Sequence, residues 1–222
     1  MGRILSVNLA VPELSNAKTV GVTGINKCPV DGPVLARPPG PKTVGLGSGL
    51  VGDHIFDVDH HGGDDQAVYA YAREDYDWWE AELGRSLPGG AFGDNLTTVG
   101  VDVSGAVIGE RWRVGAVLVL QATYGRIPCA TFQTKMGEPQ WIKRFTRPVR
   151  PGAYFRVVQP GEVRAGDEIA IVHRPGHGVT IAEAFRAWTL EPELLPRLLD
   201  ADEAPEGLKE KARQRLGIDA AR

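Results

Sequence analysis

Over its first three-quarters the chain alternates short apolar runs with breaks rich in glycine and proline; near residue 175 the pattern turns helical. RILSVNLA (3–10) and KTVGVTGI (18–25) predict short strands, and Asp31-Gly32 supplies a turn inside PVDGPVLA. RPPGPKTVGLGSGLVGD (37–53) is too rich in Pro and Gly for regular structure and predicts a long surface loop. QAVYAY (66–71) fits a strand or a first helical turn. REDYDWWEAELG (73–84) predicts a helix, with Tyr76, Trp79 and Leu83 at i, i+3 and i+7 and Gly84 as its stop.

The middle of the chain is β-patterned, with Gly100, Gly105, Gly109 and Gly115 at near-regular spacing, as in a barrel or sandwich of short strands. ATFQTKMG (130–137) and PQWIKRFTR (139–147) predict two short helices. AYFRVVQPGEVRAGDEIAIVHR (153–174) reads as a hairpin around Pro160-Gly161 with a tight turn at 165–167. PGHG (175–178) reads as a linker. Thr180 and Glu183 then form a capping box ahead of Ile181, Ala184, Phe185 and Trp188 on one face. Pro192 suits the first turn of PELLPRLL, and PEGLKEKARQRL ends at Gly217. The expected organisation is a β-rich domain over 1–175 and a three-helix extension over 176–222.

Composition narrows the function classes. Among 222 residues, 42% are hydrophobic and 24% charged, an ordinary globular balance, while Gly 28 and Pro 16 favour many short strands. A formal net charge of -3 gives no electrostatic reason to expect a nucleic-acid partner. No apolar run approaches the roughly 20 residues that span a bilayer, and MGRILSVNLAVPEL lacks a signal-peptide pattern, so a cytoplasmic location is expected. Two cysteines, Cys28 and Cys129, stand without a CxxC or Cys/His cluster. Neither a zinc site nor a self-held iron–sulfur cluster can be built from them, and a disulfide is not expected in the cytoplasm.

Three stretches carry candidate chemistry. DVDHHGGDDQ (57–66) is either a charged loop or an imidazole placed beside two glycines that allow close backbone approach. FGDNLTT (92–98) makes good turns and equally offers donors to a polar ligand. GRIPCATF (125–132) holds Cys129 behind Pro128, with Arg126 three residues upstream. A lone cysteine is commonly a small buried hydrophobe, whereas a nearby cation lowers a thiol pKa. The residues alone leave both readings open.

In this order, with the GD-turn segment behind them, HGG, GDNL and PC resemble the MOSC domain family, named for the C-terminal domain of molybdenum cofactor sulfurases, over about residues 3–173. The helical tail is similar to the stand-alone bacterial YiiM-type branch. The resemblance implies a mainly β fold with α elements: a closed MOSC-type barrel, pyruvate-kinase-barrel-like, with flanking helices and the three-helix segment. It implies that Cys129 ligates molybdenum of the molybdenum cofactor, a soft thiolate joining the two sulfurs of molybdopterin. It implies reduction of N-hydroxylated compounds, of the hydroxylaminopurine or amidoxime type, to amines. Carried across, His61, Gly62 and Gly63 lie beside the cofactor, His61 as hydrogen-bond donor or proton relay. Asn95, Leu96 and Thr97 contact the pterin, and Arg126 and Lys27 are candidates for its phosphate, with solvated surface charge as the alternative.

Two positions depart from the family pattern: Cys28 stands where a basic residue is common, and Ala130 is small where a bulky or basic residue often follows the cysteine. Electrons must come from a separate flavin or iron–sulfur reductase, since no GxGxxG fingerprint is present. The tail is a candidate docking element for that partner, or else covers a barrel edge or forms a homodimer contact. Pyridoxal phosphate belongs to the separate domain of fused sulfurases and is not expected here. The competing expectations are a sulfur carrier, a cofactor-binding module without reductase activity, and a barrel in which Cys129 is inert.

Overall fold

A computed structural model describes residues 1–17 and 19–218. Lys18, at the start of the expected 18–25 strand, and residues 219–222, at the end of the tail, lie outside them. In chain order the strands are β1 (Gly2–Ala10), β2 (Glu13–Leu14), β3 (Val22–Thr23), β4 (Lys27–Pro29), β5 (Val34–Ala36) and β6 (Val68–Ala72). Helix α1 (Arg73–Leu83) precedes β7 (Leu96–Val99), β8 (Arg111–Val114) and β9 (Leu118–Ala122). Helices α2 (Ala130–Met136) and α3 (Trp141–Thr146) come next, then β10 (Ala153–Gln159), β11 (Gly161–Val163) and β12 (Glu168–His173). The tail holds α4 (Ile181–Thr189), a 3-10 helix (Pro192–Leu199) and α5 (Glu206–Leu216).

Seven strands close into a barrel. Their order is β12-β8-β9-β10-β6-β7-β1, and a β12–β1 pairing seals the ring. All neighbours are antiparallel except β6 and β7. Parallel neighbours cannot be joined by a tight turn, and α1 provides the crossover between them. Closure removes exposed edges, and the inward side chains, among them Ile4, Val68, Trp112, Leu120 and Phe155, fill the interior. The 37–53 segment is a loop, as its composition predicts, and QAVYAY resolves into β6.

Two expectations fail. Residues 18–25 do not form one strand: β3 covers only Val22–Thr23, paired with β2. Gly21 adopts φ +72, and a Cβ on Gly24 would lie 2.2 Å from the His54 carbonyl oxygen, so the segment bends and packs on a loop. Residues 153–174 do not form a hairpin either. Both edges of β10 are taken by β6 and β9. Pro160-Gly161 therefore turns the chain away, β11 pairs with β5, and β12 joins β8 and β1. The tight turn at 165–167 forms, with the Asp167 amide donating to the Arg164 carbonyl at 3.3 Å.

The tail is tied to the barrel through the 104–108 segment. Ile108 donates to the Val179 carbonyl at 3.0 Å, and Ile181 to that of Ala106 at 2.9 Å. The Thr180 hydroxyl accepts from the Glu183 amide at 3.1 Å, the cap its sequence predicts. Ile181, Ala184, Leu195 and Leu198 join the same apolar core as the barrel strands. A second, aromatic core lies under α1–α3. Tyr71, Tyr76, Trp79, Phe92, Phe132, Trp141 and Phe145 meet at ring separations such as 4.8 Å for Trp79–Trp141 and 5.2 Å for Phe92–Phe132. This cluster fixes the start of α2.

Candidate active site

Cys129 is the residue before the first turn of α2, with the extended backbone of a helix N-cap (φ −126, ψ 172). Three residues on, Phe132 anchors the helix in the aromatic core. The thiol thus has little freedom to move, and it faces a cleft with about 800 Å³ of empty volume, open mouth included. Lys27, His61, Gly62, Asn95 and Arg126 line the same cleft. Gly63, Leu96 and Thr97 are not on its surface. Leu96 is core, and the Thr97 hydroxyl donates to Asp94 at 2.7 Å inside the wall.

The electrostatics favour a thiolate. Burial alone would raise the Cys129 pKa, but a hydrogen bond with His61, the charge of Arg126 and the Phe132 amide outweigh it and bring the thiol down to about 6. The Phe132 N–H does not close a capping bond by strict geometry, yet its partial positive charge points the same way. At neutral pH most of Cys129 is therefore anionic.

Arg126 explains much of this. It is only 6% exposed. One guanidinium nitrogen donates to the Phe92 carbonyl, and the group lies 4.3 Å from the Phe132 ring centroid and 5.4 Å from that of Tyr69. Burial works against its charge, but Tyr154, Tyr69 and Cys129 favour it, and it remains protonated. Among the described residues no carboxylate pairs with it. Aromatic faces and one carbonyl only partly replace the lost hydration of a buried guanidinium. The Cys129 thiolate is its nearest anionic counterpart, and a bound anion would add to it.

Lys27 is handled differently. Its ammonium sits 2.5 Å from an Asp53 carboxylate oxygen, with both side chains under 10% exposed (8% and 1%). Asp53 also accepts from the Ser48 hydroxyl (2.7 Å), the Asn95 amide (2.9 Å) and the Ala10 backbone N–H (2.8 Å). Burial raises the carboxyl pKa but these partners more than reverse it, so Asp53 is ionised. Burial lowers the Lys27 pKa, and Asp53 partly opposes it. Asn95 is fully engaged: besides Asp53 it accepts from the Tyr69 amide at 3.1 Å. Its amide thus locks β6, β7 and the Asp53 loop together while one face looks into the cleft.

The glycines of the HGG stretch have a backbone reason. Gly62 and Gly63 adopt φ +85 and +82, and a Cβ on Gly62 would meet the Gly47 carbonyl oxygen at 2.8 Å. The Gly62 amide donates to Gln66 at 2.9 Å, and that of Gly63 to the Gly47 carbonyl at 3.1 Å. The pair seats the His61 loop on the Pro/Gly-rich loop and brings the imidazole to Cys129. His60, by contrast, is exposed, with Nδ1 2.9 Å from Asp57. Among the described residues no group of three or more His, Cys, Asp or Glu could hold a metal ion by itself.

Residues 57–170 match the MOSC domain. The chain belongs to the MOSC family. That match takes in the HGG loop, Asn95–Thr97, Arg126 and Cys129, but not Lys27. The chain is 31% identical to protein YflK of Bacillus subtilis (strain 168), across 82% of this chain and 79% of that one. It is 30% identical to a protein named reductase from Gibberella moniliformis (strain M3125 / FGSC 7600), over 65% of this chain but only 25% of the fungal one. Among solved structures, YiiM from Geobacillus stearothermophilus superposes with a TM-score of 0.76 at 25% identity, covering 97% of this chain and all of that one. This MOSC fold therefore has YiiM's barrel and tail together.

Asp53 and Asp94 escaped the reading of the sequence. Asp94 is a buried carboxylate behind the cleft, and burial raises its pKa despite bonds from Tyr76 and Thr97. It adjoins Asn95 inside the very GDNL stretch that drew notice, so a signal was there. Asp53 gave none: one acidic residue in a glycine-rich loop says nothing of a lysine 26 positions earlier.

Proposed function

We propose that this chain is a molybdenum-cofactor-dependent oxidoreductase that reduces N-hydroxylated compounds to amines. The observation that carries the reading is one soft, low-pKa thiolate beside a buried arginine that has no carboxylate partner among the described residues, both facing one cleft. The residues fit the group. Thiolate suits a metal already bound by sulfur, and Arg126, on the same cleft, offers charge to an anionic cofactor. The cofactor, when bound, supplies the redox centre that accepts oxygen from N–OH.

The chain's own residues hold and protonate. Cys129 presents the anionic sulfur, and Arg126 keeps it anionic. His61, hydrogen-bonded to that sulfur, is placed to pass a proton into the cleft. The Lys27–Asp53 pair and Asn95 keep one wall rigid and neutral, so that charge is concentrated at Arg126. Overall, R–NHOH with two electrons and two protons gives R–NH2 and water. We assign the electrons to a separate flavin or iron–sulfur reductase.

Protein made in a host that synthesises the cofactor should carry close to one molybdenum per chain and lose it on Cys129→Ala. It should then reduce a hydroxylamine substrate with an artificial electron donor. Molybdenum retained by Cys129→Ala, or no turnover by loaded protein, would overturn the reading. A persulfide on Cys129 without molybdenum would instead favour a sulfur carrier.

A further inference from the structure

A second, larger groove adjoins the Cys129 cleft. Its empty volume is about 1560 Å³, and it shares Gly62 and Gln66 with the cleft. One wall is Tyr124, Gly125 and Ile127 of the segment that follows β9 and runs on to Cys129; the other is Phe185 and Trp188 of α4 with Leu208 and Lys211 of α5. Two adjoining volumes suit two ligands. If the reaction proposed above is correct, the cofactor fills the cleft around Cys129 and the substrate needs another approach to the same sulfur.

The groove's chemistry indicates what that substrate carries. Tyr124 and the half-buried Trp188, which has Arg215 5.4 Å from its ring centroid, offer aromatic surface to a planar ring, with the buried Phe185 behind them. Tyr124 is steadied by Gln66, and burial pushes its pKa well up, so it remains a neutral phenol. The rim holds two lysines, Lys42 and Lys211, and among the described residues neither has an acidic partner. The rim carboxylates are engaged: Asp65 with Arg156, and Asp64 with the Gly40 amide at 2.9 Å. Free ammonium groups beside aromatic walls are the arrangement that receives a base and its phosphate together.

We propose that this groove binds the body of the substrate, a nucleotide whose N-hydroxylated base lies between Tyr124 and Trp188 and whose phosphate is held by Lys42 and Lys211. The base then reaches Cys129 across the edge formed by Gly62 and Gln66. The preferred substrate is the nucleotide rather than the free base.

The test is calorimetric titration of the cofactor-free full chain with adenosine 5′-monophosphate and with adenine, the first carrying the phosphate and the second not. The nucleotide should bind more tightly. Trp188→Ala should weaken both ligands about tenfold, the size expected for one lost stacking partner. Lys42→Ala with Lys211→Ala should weaken the nucleotide about tenfold and leave adenine unchanged. Cys129→Ala should change neither. Trp188 also packs against the core, so Lys211→Glu, at an exposed position, serves as a variant that keeps the fold.

Equal binding of the two ligands, no nucleotide binding at millimolar concentration, or binding indifferent to Trp188 and to both lysines would overturn the proposal. Failure to load molybdenum leaves these readouts intact, so the two proposals fail separately. In loaded enzyme, Trp188→Ala should raise KM and leave kcat unchanged.

Discussion

Two buried cations line one cleft, and the fold treats them in opposite ways. Lys27 lies against Asp53, which gathers three further donors, so that wall is neutral and saturated. Arg126 has aromatic faces, one carbonyl and a thiol, but, among the described residues, no carboxylate. A pair satisfied from within needs nothing from outside and serves architecture. A buried charge left incomplete has affinity to spare for an anion. That contrast separates the structural wall of the cleft from its reactive wall.

The largest effect should come from breaking the saturated wall. Asp53→Ala strands Lys27 and leaves Ser48 and Asn95 without their acceptor, and it should cost about 3–5 kcal/mol in denaturant unfolding. Adding Lys27→Met should restore much of that loss; no recovery would show that Asp53 acts by some other route. Gly62→Ala tests how the reactive wall is seated. Its positive φ and the Gly47 carbonyl 2.8 Å from the new methyl should cost about 1–3 kcal/mol, and displacement of His61 should raise the thiol pKa.

His61→Ala removes the strongest of the influences that lower the Cys129 pKa. It should move half-maximal alkylation upward by about one pH unit, a tenfold loss of thiolate in the acid limb, with little change in stability. Arg126→Met should act in the same direction and somewhat less. An unchanged thiol titration in both variants would erase the distinction between the two walls. The pH sign is fixed by the direction of the shift. The folded thiol titrates below the ordinary ~8.5, so its stabilising contribution is full above that value, declines as pH falls, and is gone below about 6.

Local features were legible in the sequence. Helix α1, the cap at Thr180, the Gly84 and Gly217 stops and the Pro/Gly-rich loop rest on residues within one or two turns of each other, and each formed as predicted. The hairpin at Pro160-Gly161 failed because a turn signal says only that the chain bends. Barrel closure had already used both edges of β10. The same limit applied at the site. HGG, GDNL and PC could be picked out, but the Asp53–Lys27–Asn95 network spans separations of 26 and 42 residues and depends on β1 pairing with β4 and β7. Leu96 and Thr97 showed as part of a motif, while their place inside the barrel wall follows only from strand register.

Everything functional here depends on the ionisation of one sulfur. The most direct measurement is the rate of Cys129 alkylation against pH in full-length Cys28→Ser protein without cofactor. Half-maximal rate near pH 6 is the predicted result; a half-point at or above the ordinary thiol value of ~8.5 would contradict the account.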